Sequence, residues 1–105
     1  MSLKIQSKFN EELEKWDFVA AGEVDISTAP QLRELLNGAY QEKKADILIH
    51  MDDLTYIDST GLGVIIGAFG RMQENKNKIT LINPKENIKK LLSITSLDRI
   101  LCSEI

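Results

Sequence analysis

Apolar and polar residues alternate from Leu3 to Phe9, where Leu3, Ile5 and Phe9 are separated by Lys4, Gln6 and Lys8. A period of two predicts a half-buried β-strand. After a polar stretch, Trp16, Phe18, Ala20 and Gly22 alternate again and run into Gly22-Glu23-Val24-Asp25, so the two segments pair most simply as a hairpin. The period then changes. Leu32, Leu35, Leu36, Ala39 and Tyr40 recur at helical spacing behind Pro30, and Ser27 or Thr28 offers an N-cap oxygen.

Asp46 to Met51 is a nearly continuous apolar run broken only by His50, which predicts a central strand covered on at least one face. Asp52 to Asp58 is rich in turn formers and reads as a loop. A second helix is expected from Ser59 or Thr60, with Leu62, Ile65, Ile66, Phe69 and Met72 on one face and an asparagine C-cap between Glu74 and Asn77. Lys78 to Asn83 reads as another strand. Pro84 and Glu86 mark a helix start that Ile88, Leu91, Leu92 and Thr95 continue, and Arg99 to Cys102 offers a last short strand.

The resulting order, β-β-α-β-α-β-α-β, predicts one α/β domain over residues 1–105. Its sheet is mixed, with helices packed against it, because strands separated by helices are joined by crossovers that favour parallel pairing. Strand-to-helix turns gather at one edge of such a sheet, so functional residues are sought at Gly22 to Thr28, Asp52 to Gly63 and Asn83 to Glu86.

Composition narrows the function classes. At 105 residues and 43% hydrophobic, the chain has enough apolar side chains for one core of its own. Thirteen Lys and Arg against sixteen Asp and Glu give a formal charge of −3 with no basic run, which argues against nucleic acid as a partner. Cys102 is the only cysteine, so no disulfide framework or zinc cluster can be built from cysteines, and the thiol is expected to be inert. No apolar run approaches the ~20 residues of a membrane span, and the N-terminus lacks a signal-peptide core. A cytoplasmic protein that does not enter the membrane is expected.

Candidate chemistry centres on Tyr56-Ile57-Asp58-Ser59-Thr60-Gly61-Leu62-Gly63, where two hydroxyl residues meet the start of a helix. Unpaired N–H groups and a partial positive charge at that position tolerate a phosphate or another anion. The same residues also fit a plain N-cap, with glycines that only let helix and sheet approach closely. A hydrolase nucleophile is disfavoured. Ser59 has no obvious base, since the one histidine, His50, sits inside an apolar strand where a loop carbonyl is expected to satisfy its ring. The glycine that precedes a nucleophile elbow is also missing. Asp52, Asp53 and Asp58 lie in one stretch of chain and do not converge from separate strand ends, so a magnesium site is not expected and no cofactor is implied. Gly63, Gly67 and Gly70 cost helix propensity, which suggests either close packing on the sheet or a flat flank for a partner.

With these residues laid out, Asp53-Leu54-Thr55-Tyr56-Ile57-Asp58-Ser59-Thr60-Gly61-Leu62-Gly63-Val64 resembles the signature loop and helix start of the bacterial anti-sigma factor antagonists of the STAS family. Gly22-Glu23-Val24-Asp25, with Ala29-Pro30 and Leu32-Arg33, is similar to a second landmark of that family, and the match covers nearly the whole chain. Asp58-Ser59-Thr60-Gly61, without a double serine, is closest to the general-stress branch.

The resemblance implies a regulatory binding protein and not an enzyme. The unmodified form would capture an anti-sigma factor, a serine kinase of the GHKL type, and so free the sigma factor. That kinase would phosphorylate Ser59, and a PP2C-type phosphatase would reverse the step. Asp25 and its turn, Ile26, Ser27 and Thr28, would carry partner contacts together with Asp58, Ser59, Thr60, Gly61 and Leu62. Asp25 is expected to serve affinity and not folding. Many members add an acidic C-terminal helix, whereas this sequence stops at Ile105. The alternative is a scaffold or sensor subunit of a larger signalling assembly.

Overall fold

The computed structural model describes residues 2–102, so the two ends of the expected 1–105 domain lie outside the described residues. Strand β1 (Leu3–Asn10) pairs antiparallel with β2 (Lys15–Val24), as the alternating patterns require. Helix α1 (Ala29–Glu42) carries the chain back so that β3 (Asp46–Ile57) lies parallel to β2. Helix α2 (Ser59–Met72) repeats the crossover to β4 (Ile79–Ile82), giving a four-stranded mixed sheet in the order β1-β2-β3-β4. Right-handed crossovers running in one direction put α1 and α2 on the same face, where they pack against each other.

That face holds the core. Trp16, Phe18 and Ala20 of β2, Ile47, Ile49 and Met51 of β3, and Ile79 and Leu81 of β4 are buried beneath Leu32, Leu36, Leu62, Ile65, Ala68 and Met72. Full burial of each large aliphatic or aromatic side chain contributes roughly 1.5–3 kcal/mol. Helices α3 (Glu86–Ile94) and α4 (Asp98–Leu101) pack against β3 and β4. Thr80 points away from Ile79 and Leu81 and is itself buried, so β4 is covered on both faces. The second face stays open over β1, β2 and the neighbouring part of β3, with Gln6, Lys8, Asp17, Val19 and His50 along it.

Four local expectations are corrected. Asp52 to Asp58 is not a loop, because β3 continues to Ile57. Between Val19 and Ala21 of β2, β3 advances from His50 to Asp53, and between Gly22 and Glu23 it advances from Leu54 to Tyr56. Each irregularity places one extra residue in β3, so its buried positions Met51, Leu54 and Ile57 fall three apart. Arg99 to Cys102 is not a strand: Leu101 sits in the core while Ile100 is exposed, and the N–H of Leu101 donates to the Leu97 carbonyl at 2.9 Å as the turn of α4.

Helix α2 does not end on an asparagine cap. It tightens into a 3₁₀ turn over Gln73–Asn75 and closes on Lys76 in the left-handed region, while Asn77 accepts from the Tyr40 hydroxyl at 2.8 Å and donates to Asp46 at 3.0 Å. His50 is satisfied not by a loop carbonyl but by the carboxylate of Asp17 on β2, at 2.9 Å.

Candidate functional site

The parallel strands end at one edge, and two of their connections meet there. The N–H of Asp58, just beyond β3, donates to the Val24 carbonyl at the end of β2 at 3.2 Å, which ties the Asp25 turn to the start of α2. Gly61 makes the approach possible. A Cβ there would lie 2.6 Å from Val24 Cγ1 and 2.7 Å from Ile57 Cγ1, so only hydrogen fits. Gly63 and Gly70 face open space and Gly67 has only the Arg71 side chain near it, so the glycines of α2 that follow Gly61 are not explained by close packing.

In the first turn, Asp25 is the organiser. Its Oδ1 accepts from the N–H of Ser27 at 2.9 Å, the N–H of Thr28 at 3.1 Å and the hydroxyl of Ser27 at 2.7 Å. Thr28 occupies the N-cap position of α1 without making a side-chain cap, because its hydroxyl donates to the Glu23 carbonyl at 2.9 Å and accepts from the N–H of Asp25 at 2.9 Å. The hydroxyl of Ser27, with the backbone N–H groups, outweighs desolvation and holds the Asp25 carboxyl below its ordinary value of 3.8. Asp25 therefore supports the local fold, contrary to the expectation that it serves affinity alone. Ile26, at the tip, is 77% exposed.

In the second turn an aspartate is the cap. Asp58 Oδ1 accepts from the N–H of Gly61 at 3.1 Å, and its carbonyl accepts from Leu62 at 3.0 Å. Capping is thus the work of neither hydroxyl, so the plain N-cap reading of Ser59 or Thr60 does not hold. Both are exposed, and neither hydroxyl has a hydrogen-bond partner among the described residues. Tyr56, 41% exposed, flanks them. Of the nine residues expected to meet a partner, Thr28, Gly61 and Leu62 are buried and shape the surface from below. Ile26, Ser27, Ser59 and Thr60 are outermost, with Asp25 and Asp58 half-buried between them. The third connection reaches the same edge, where Asn87 Nδ2 donates to the Thr55 carbonyl at 3.0 Å.

Other chemistries do not assemble. His50 lies roughly 20 Å from Ser59 along β3, too far to act as its base. Asp52 accepts from Asn83 at 3.3 Å while Asp58 faces Gly61, so these carboxylates do not converge, and no group of three metal-ligating side chains occurs among the described residues. Burial, reinforced by Asp98, pushes the Cys102 thiol above its ordinary value and keeps it protonated at neutral pH. No helix among the described residues is long and apolar enough to cross a membrane.

A family model described as the STAS domain matches residues 5–105. An anti-sigma-B factor antagonist of Listeria monocytogenes is 34% identical over 102 residues, covering 96% of this chain and 88% of the relative. One of Staphylococcus aureus is 29% identical over 97 residues, covering 92% and 88%. The solved structure of the anti-sigma factor antagonist SpoIIAA in its unphosphorylated form superposes with a TM-score of 0.81 at 20% identity, over 93% of this chain and 85% of that one. The phosphorylated form of the Bacillus cell fate determinant SpoIIAA gives 0.73 at 21% identity, over 93% and 88%.

Proposed function

Because the chain belongs to the STAS domain family, we propose that it is an anti-sigma factor antagonist whose binding edge is switched by phosphorylation of Ser59. The observation that carries this reading is the Ser59 hydroxyl itself. It is exposed, free of any hydrogen-bond partner among the described residues, and held at the first helical position by a cap that Asp58 supplies. A modifying enzyme can reach it without breaking the cap. The unmodified edge binds an anti-sigma factor that is a serine kinase of the GHKL type, and a PP2C-type phosphatase restores it. The protein acts by binding and not by catalysis, and the exchange of partners takes place in the cytoplasm. Relatives named anti-sigma-B factor antagonist, matched over most of their length, support the antagonist role.

Incubation with the cognate kinase and Mg-ATP should add one phosphate. Thr60 is the competing acceptor, and its hydroxyl is equally unbonded, so position and not capping must separate the two. Ser59 is the first residue of α2 and follows the capping aspartate directly. Ser59→Ala should abolish labelling and Thr60→Ala should leave most of it. Phosphate retained in Ser59→Ala removes Ser59 from this role.

A further inference from the structure

Strand β1 is an edge strand with a free side. Because Ser2 accepts from the N–H of Glu23 at 2.9 Å, and β1 pairs with β2 in the register Leu3 to Gly22, the even-numbered residues of β1 turn their backbone groups toward β2. Leu3, Ile5, Ser7 and Phe9 turn theirs outward. The Leu3 carbonyl is already taken by Gln31 Nε2 at 3.2 Å, so the unpaired stretch runs over Ile5, Ser7 and Phe9 and is centred on Ser7. None of these three has a backbone partner outside the sheet among the described residues.

We propose that this edge pairs with a second copy of itself, antiparallel, across a two-fold axis at Ser7. The side chains select that register. Centred on Ser7, it sets Ile5 opposite Phe9 of the second copy on the covered face, and Gln6 opposite Lys8 and Lys4 opposite Asn10 on the open face. Moving the centre one residue toward the N-terminus would set Lys4 against Lys8, and moving it the other way would set Lys8 against Lys8; like charges directly opposite are destabilising. The register that avoids both is the one that uses all of the free backbone, with about six new hydrogen bonds. It also fills a space. A groove of about 540 Å³ lies between β1 and α1, lined by Phe9, Trp16, Leu35 and Gly38 among others, and Leu35 is 37% exposed. The second copy's Ile5 stands beside Phe9 at this groove. A two-fold makes the contact closed, so the sheet becomes eight-stranded and stops there.

Sedimentation equilibrium of the full chain under reducing conditions tests this. The interface is small, so monomer and dimer should exchange with a dissociation constant on the order of 100 µM. Ser7→Pro removes an outward N–H at an edge position that tolerates proline, and should leave a folded monomer. Gln6→Lys puts a lysine opposite Lys8 twice and should weaken dimerisation about ten-fold, whereas Gln6→Glu should strengthen it by a similar factor that disappears in high salt. A chain that stays monomeric to about 1 mM, or a dimer unaffected by both Ser7→Pro and Gln6→Lys, overturns the proposal.

Discussion

At the scale of single residues, two aspartates organise the turns in which hydroxyl residues offered themselves as caps: Asp58 caps α2, and Asp25 holds the turn that leads into α1. A sequence shows which residues can cap but not which one wins, because Asp, Ser and Thr compete for the same N–H groups and the choice depends on where the preceding strand stops. Asp58 ends β3 through its bond to Val24, so its side chain is the one placed over the helix. Ser59 is left free as a result. For Asp25 the consequence is measurable. Its folded pKa is lower than its unfolded one, so the ionised carboxylate stabilises the fold above about pH 3.8 and that contribution is lost as pH falls through the folded value. Asp25→Ala should lower the melting temperature by a few degrees at neutral pH, and the difference from wild type should shrink in thermal melts run below that value.

At the scale of elements, helices α1, α2 and α3 and the hairpin were readable from their periods, and the far half of β3 was not. Its buried residues fall three apart because two bulges interrupt pairing with β2, and that spacing belongs to neither a strand nor a helix. The α4 segment failed for a different reason: one buried leucine in four residues is too little signal to set a period. In α2 the glycines separate into two kinds. Gly61→Ala drives a methyl into Val24 and Ile57 and should cost about 1–3 kcal/mol, pulling apart the two turns of the site. Gly70→Ala meets nothing and should stabilise the helix by about 1 kcal/mol. Chemical denaturation of both variants reads the opposite signs. Equal effects would mean that the approach of α2 to β2 is not as tight as Gly61 implies.

At the scale of the whole molecule, the sheet anchors the proposed binding edge from below while leaving its outermost side chains, Ile26, Tyr56, Ser59 and Thr60, free of the core. This arrangement suits a switch that acts on a surface and not on a fold. A phosphate on Ser59 adds about −1.5 to −2 charge beside Asp58, yet it also lies over the positive end of α2, so within the free protein the two effects partly cancel. A partner surface shaped for a hydroxyl offers no such compensation. A penalty of only ~3 kcal/mol there weakens binding more than a hundredfold. The parallel order and the location of this edge were legible from the crossovers, whereas which side chains stand outward became clear only once Thr28 and Leu62 were seen to be buried. The most direct measurement is calorimetric titration of the anti-sigma factor with unmodified and Ser59-phosphorylated chain, alongside their thermal melts. The proposed switch predicts at least a hundredfold loss of affinity with melting temperatures within a few degrees of each other. Equal affinity, or a phosphorylated chain that no longer folds, would contradict it.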